Sequence, residues 1–306
     1  MVMIMAISVA VTGCTSTKAP EAEPAVPYDY VSKVKTGGSI EEKYLAMGPY
    51  RVSYLEKFAM QEFEKYEIHY PSDISEGNEK FPVVIFSNGT GIKGSRYTAV
   101  QEHLASWGFI VLSTEQEFSW SGFSSEMCIR FLMLLDEAEA VDGWKTNPFK
   151  GHVDFDRIGV SGHSQGGVGA INAATANDHG YMVRTVFAAS PANIPLSEAL
   201  QWEYDPSLIT VPTFLVSGTG ISDEKLVVSG ENLKEIYSLI PDVVQKVMAR
   251  RKKAEHGNML SYADGYMTAW FMWQLRDDAE AVKSFTDGDG EIFSNKLYQD
   301  QVSNIR

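Results

Sequence analysis

The chain is poor in cysteine. Cys14 and Cys128 are its only two among 306 residues, too few for a disulfide framework. Cations are scarce as well: 26 Lys and Arg stand against 40 Asp and Glu, a net charge of −14. A surface of that sign repels a phosphate backbone, so a nucleic-acid partner is excluded. No run approaches the roughly 20 apolar residues that a spanning helix needs, which argues against a polytopic membrane fold. Metal-ligand spacings are missing too, with no H-E-x-x-H and no Cys/His cluster. Asp287-Gly288-Asp289-Gly290-Glu291 fails as a calcium loop. With Asp287 and Asp289 at positions three and five, Phe285 and Lys296 occupy the first and twelfth ligand positions. Neither a metal nor a cofactor is expected.

What is present is the composition of a globular protein, 44% hydrophobic and 22% charged, enough to bury a substantial core. Residues 1–13 are small and apolar. They lead into Val11-Thr12-Gly13-Cys14, which resembles the lipobox of bacterial lipoprotein signal peptides, although no Lys or Arg precedes it. Residues 15–27, rich in Ala, Pro, Glu and Thr, offer almost nothing to bury, as a leash would. The expected organisation is a signal segment and lipidated Cys14 over 1–14, a flexible tether over 15–45 and one catalytic domain over 46–306. Such a protein is expected to be lipid-anchored on the outer side of a bacterial membrane, or secreted, and to be a monomer.

From residue 50 onward, strand-like and helix-like patterns alternate. Segments 50–55 and 66–70 predict an opening antiparallel pair. Buried-type strands follow over 81–86, 109–112, 157–160, 183–188, 213–216 and 244–249. Helices are predicted over 97–107, 126–140, 167–176, 232–239 and 260–275. This alternation predicts an α/β fold, a mostly parallel sheet with helices on both faces and little or no cap. Cys128 and the aromatic stripe Tyr262, Tyr266, Trp270, Phe271 and Trp273 are expected in the core.

Gly162-His163-Ser164-Gln165-Gly166 matches G-x-S-x-G between a predicted strand and a predicted helix. A nucleophilic serine must stand out from the sheet on a turn too tight for bulky neighbours. The following helix aims its N-terminal N–H groups at charge that develops there. With Gly48-Pro49-Tyr50, Pro82-Val83-Val84-Ile85-Phe86-Ser87-Asn88-Gly89 and Leu104-Ala105-Ser106-Trp107-Gly108-Phe109, the chain resembles the α/β-hydrolase superfamily. Its nearest likeness is to dienelactone-hydrolase-like, chlorophyllase-like and bacterial cutinase or polyester-hydrolase-like serine esterases, over about residues 48–278.

That resemblance implies a serine carboxylester hydrolase with the triad in the order Ser, acid, His along the chain. Only His179 and His256 follow Ser164. His179 comes before any further strand has supplied an acid, which leaves His256. The acid is expected after the strand over 213–216, as Asp223, with Glu224 still open because that loop is about two residues longer than in the polyester hydrolases. The resemblance further implies an oxyanion hole from the backbone N–H groups of Gln165 and Thr90. Gly89-Thr90-Gly91-Ile92-Lys93-Gly94 also spells G-x-G-x-x-G, with Glu115 and Glu117 suitably spaced for a ribose contact. A dinucleotide-dependent oxidoreductase using Gly89, Gly91 and Gly94 is therefore one alternative, and an inactive hydrolase-fold surface lipoprotein another. No long insertion supplies a lid, so an open site for short-chain or bulky esters is expected. Polyester hydrolases carry an aromatic clamp where this chain has Ser190-Pro191-Ala192-Asn193-Ile194; Phe118 and Trp120 are candidate replacement walls.

Overall fold

The computed structural model describes residues 23–140 and 147–306. The lipobox with Cys14, and residues 15–22 of the expected tether, lie outside them. Nine strands form among the described residues. These are β1 (Val52–Phe58), β2 (Lys65–Pro71), β3 (Phe81–Ser87), β4 (Ile110–Thr114), β5 (Val153–His163), β6 (Val183–Ala189), β7 (Thr213–Gly218), β8 (Lys246–Arg251) and β9 (Tyr298–Ser303). Among the described residues they make one sheet of order β1-β2-β4-β3-β5-β6-β7-β8-β9. The six strands from β4 to β8 in that order run parallel. β2 lies antiparallel to both β1 and β4, and β9 antiparallel to β8. Every residue of β3, β4 and β7 is buried, the signature of strands with helices on both sides.

Two short helices, α1 (Tyr30–Lys33) and α2 (Ser39–Leu45), precede the sheet. The crossovers carry α3 (Thr98–Ser106), α4 (Phe123–Glu137), α5 (Gln165–Thr175), α6 (Ile194–Ala199) and α7 (Gly230–Leu239). After β8 come α8 (Met259–Tyr262), α9 (Asp264–Arg276) and α10 (Glu291–Ser294). One core joins α4, α5 and α7 to the sheet through Cys128, Ile129, Leu132, Ile171, Leu233 and Ile236. The other joins α3 and α9 through Val100, Leu104, Tyr266, Trp270 and Phe271. The predicted α/β fold is thus observed, and both Cys128 and most of the aromatic stripe are core.

Three expectations need correction. The segment expected to be a tether up to residue 45 is docked over its described part: Val26, Tyr30, Tyr44 and Leu45 are buried, and the Tyr30 hydroxyl donates to Asp264 at 2.7 Å. Its buried side chains are spaced irregularly between Pro and Gly residues, so no periodicity announces them. The helix predicted over 260–275 divides at Ala263, between α8 and α9. Asp264 there also meets His103 Nδ1 at 2.7 Å in a fully buried pair. The strand predicted over 157–160 begins instead at Val153, where it pairs with Phe81, and reaches His163 across a register shift. β9 was not anticipated, because four of its six residues are polar and only the β8 edge gives it a partner.

The docked arm is held by a charged cluster. Arg251, at the end of β8, reaches Glu41 on α2 at 3.0 Å, both side chains being almost fully buried. The Glu41 carboxylate also accepts from the Gly37 amide, Asn295 and Tyr298. Burial pushes its proton affinity up, outweighing Arg251 and these donors. Removing one partner of such a pair strands the other charge in the interior, which costs about 3–5 kcal/mol. Glu41→Ala is therefore expected to lower unfolding free energy by roughly that amount in urea titrations. A loss under about 1 kcal/mol would mean that Arg251 regains water when its partner is gone.

Candidate active site

In open α/β sheets the loops beyond the carboxyl ends of the strands converge on one edge. Here those loops carry Thr90 after β3, Ser164 after β5, Asp223 after β7 and His256 after β8. Ser164 joins β5 directly to α5 with φ 60° and ψ −125°, a conformation that costs a non-glycine residue about 1–3 kcal/mol. The surroundings enforce it. A Cβ on Gly162 would lie 1.9 Å from the Gly166 carbonyl oxygen, and one on Gly166 would lie 2.1 Å from that of Ser87. The two glycines of the motif are therefore steric requirements of the turn. Gln165 is the first residue of α5, so its N–H has no acceptor within the helix and sits at the positive end of the helix dipole. Its side chain is buried and accepts from the Ser119 amide at 2.9 Å.

His256 begins a short 3-10 turn after β8. Its Nδ1 lies 2.6 Å from Asp223 Oδ1. Asp223 has no exposed surface, and its Oδ2 accepts from the Ser190 hydroxyl and the Gly218 amide, each at 2.7 Å. Burial alone would raise the carboxyl pKa. The hydrogen bond and charge of His256, with Ser190 and Gly218, hold it below the ordinary range. Asp223 opens a single π-helical turn, Asp223–Val227, closed by the Val228 amide on the Asp223 carbonyl at 3.0 Å. Successive side chains leave that wide turn in different directions. Glu224 pairs with Arg250 on β8, so of the two acids left open by the sequence, Asp223 is the one bonded to His256.

Sequence reasoning missed His163, the first variable residue of the G-x-S-x-G motif. Its ring packs 4.4 Å from that of His256, and its Nε2 lies 2.8 Å from the His256 carbonyl oxygen. Burial first, then the neighbouring His256, push its pKa down to about 3. A neutral ring facing a carbonyl must carry its proton on Nε2, so His163 donates and ties the elbow to the histidine loop. Its motif position is open to any residue, so only tertiary contact could identify it.

The loop after β3 is braced from behind. Asn88 Nδ2 donates to the carbonyls of Thr114 and Gln116 at 2.6 and 2.8 Å, and the Gly91 amide donates to Glu117 at 2.9 Å. Thr90 is exposed at its tip. A Cβ on neighbouring Gly89 would approach the His163 carbonyl to 3.3 Å, so this loop lies against the Ser164 turn. The same contacts weaken the dinucleotide alternative. The Glu115 carboxylate accepts from the Ser95 amide and hydroxyl at 2.7 and 2.9 Å, and a 3-10 turn over Gly94–Tyr97 separates the glycines from α3. Of the two acids, Glu115 is engaged, and the helix N-terminus starts too far on to receive a pyrophosphate at the loop. No group of side chains able to hold a metal ion occurs among the described residues.

Around this edge, Phe118, Ile221 and Leu226 are exposed by 55, 76 and 70%, whereas Trp120 is half-buried. Asn193, where an aromatic clamp was sought, instead caps α6 by accepting from the Leu196 amide at 2.9 Å.

The chain is similar in sequence to known ester hydrolases. The chain is 26% identical over 213 residues to a bis(hydroxyethyl) terephthalate hydrolase of Streptomyces coelicolor, covering 68% of this chain and 61% of that protein. It is 23% identical over 228 residues to a platelet-activating factor acetylhydrolase of Cavia porcellus, covering 60% of this chain and 49% of that protein. It thus spans about half to three fifths of the length of these curated relatives. The family model described as PET hydrolase-like matches residues 35–294, from the docked arm through α10 and including Ser164, Asp223 and His256. On that match the chain belongs to the PET hydrolase-like family of the α/β-hydrolase superfamily.

Proposed function

We propose that the protein is a carboxylic ester hydrolase in which Ser164 is the nucleophile, His256 the general base and Asp223 the acid that orients it. The observation carrying this reading is the buried Asp223 carboxylate 2.6 Å from His256 Nδ1, on the same edge as a serine in a strained strand-to-helix turn. With its Nδ1 proton directed at Asp223, His256 presents Nε2 to take the Ser164 proton as Oγ attacks the ester carbonyl carbon. The carbonyl oxygen gains negative charge, stabilised by the backbone N–H groups of Gln165 and Thr90. His256 then gives its proton to the departing alkoxide, leaving an acyl-enzyme. Water, deprotonated by the same imidazole, attacks the acyl carbon and releases the acid and free Ser164.

The open edge, with exposed Phe118, Ile221 and Leu226, suits short-chain or bulky esters better than a long chain enclosed by a lid. The names of the family and of the Streptomyces relative bring terephthalate esters and their polymers within the proposal. Location also belongs to it. Acylation of Cys14 would tether the enzyme outside a bacterial membrane, since two or more acyl chains anchor durably where one does not. Among the described residues, no helix is long and apolar enough to cross a membrane.

The test is covalent labelling by a fluorophosphonate probe. Labelling is expected in the wild-type protein and absent in Ser164→Ala. A protein that leaves the probe unreacted while hydrolysing esters would overturn the nucleophile assignment, and one inert to both would support the inactive-scaffold alternative.

A further inference from the structure

The loops after β7 and β8 are laced together by a side chain outside the proposed triad. Glu255 precedes His256, and its carboxylate crosses to the Asp223 loop. Oε1 accepts from the Ile221 amide at 3.2 Å. Oε2 accepts from the Ser222 amide at 3.2 Å and the Ser222 hydroxyl at 2.6 Å. The Ser222 hydroxyl oxygen in turn accepts from the His256 amide at 3.0 Å. Backbone bonds run alongside, from Thr219 to Arg251 and from Gly220 to Ala254, at 3.0 and 2.8 Å. A Cβ on Gly220 would fall 2.4 Å from the Glu255 carboxyl carbon, so the carboxylate lies directly against the acid loop. Glu255 is exposed, and its backbone position does not require a negative charge. A surface glutamate gains little by immobilising itself on three donors of one loop, unless the geometry it sets matters elsewhere.

We propose that Glu255 is a positioning residue. By fixing Ser222, it sets the separation and angle between Asp223, the next residue on one loop, and His256, its own neighbour on the other. The inference rests on the triad reading above. Asp223 is anchored independently by Ser190 and Gly218, so losing Glu255 leaves the carboxylate in place and frees the imidazole side. Misplacing a catalytic group by about 1 Å costs on the order of a hundredfold in rate, and it does so in the chemical step rather than in substrate binding.

The experiment compares Glu255→Ala, Glu255→Gln and Ser222→Ala in the full chain, with p-nitrophenyl acetate as substrate and active sites counted by fluorophosphonate titration. Glu255→Ala is expected to lower kcat per titrated site by about 10–100-fold with KM within about twofold. Glu255→Gln, which keeps one acceptor oxygen, should fall between it and wild type, and Ser222→Ala should reduce kcat in the same direction. The low-field proton resonance of the His256–Asp223 hydrogen bond should broaden or shift in Glu255→Ala and remain in Ser164→Ala. A Glu255→Ala protein with kcat per site within about twofold of wild type and an unchanged resonance overturns the proposal, since anything it lost would then be fold stability alone. Should Glu255→Ala not fold, the near-isosteric Glu255→Gln decides by the same two readouts. If His256→Ala is inactive while Glu255→Ala is normal, the clamp alone is wrong; if His256→Ala keeps full turnover, the triad reading falls with it.

Discussion

Ser164→Ala and His256→Ala are each expected to reduce kcat for a soluble ester by about 10⁴–10⁶-fold, and the double variant to lose little more. In the proposed triad the two groups act on one proton. Without Oγ there is nothing to deprotonate, and without the imidazole the hydroxyl stays a weak nucleophile. Folding should survive both changes. Ser164→Ala removes only a hydroxyl, and the strained backbone at that position is imposed by Gly162 and Gly166. His256 sits half-buried at the edge of the site, so its truncation opens no core cavity. Steady-state rates with matched circular dichroism spectra check the expectation. Near-normal turnover in His256→Ala would show that the base lies elsewhere, and additive losses in the double variant would show that the residues do not work as a unit.

Asp223→Asn is expected to lower kcat by up to about 10⁴-fold, while Glu224→Gln leaves it within a few-fold. In the proposed mechanism the carboxylate accepts the Nδ1 proton and favours the imidazolium that would form as Ser164 attacks. An amide in its place can turn an N–H toward Nδ1, which holds the ring in the wrong tautomer. The surroundings sharpen this effect. Ser190 and Gly218 both donate to Oδ2, so the asparagine oxygen is drawn toward them and its NH₂ is left facing His256. Glu224 instead pairs with Arg250, whose guanidinium also reaches the Gly218 carbonyl at 3.2 Å. Its neutralisation therefore acts on the outer side of the turn. Parallel kinetics on the two variants decide the matter: a large loss in Glu224→Gln with a mild one in Asp223→Asn would reverse the roles.

What the sequence determined by itself was whatever depends on neighbours in the chain. The elbow was legible because part of its requirement is local: a Cβ on Gly162 would meet the Gly166 carbonyl four residues on, although Gly166 itself is required by the Ser87 carbonyl on β3. The parallel sheet was legible because strands buried along their whole length, such as β3 and β7, carry near-continuous apolar runs. Decisions resting on contacts between distant segments were not legible. Asp223 and Glu224 are adjacent and chemically alike, and only the π-helical turn over Asp223–Val227 directs one to His256 and the other to Arg250. His163 and Glu255 sit at positions open to many residues, and their partners are 93 and 33 residues away. The arm before residue 46 reads as a leash because its buried side chains follow no helical or strand period. Tyr30 and Glu41 become interior only where Asp264 and Arg251 meet them. Local sterics and periodicity are written along the chain, whereas the pairing of polar groups across loops is set by which strand ends the sheet order brings together.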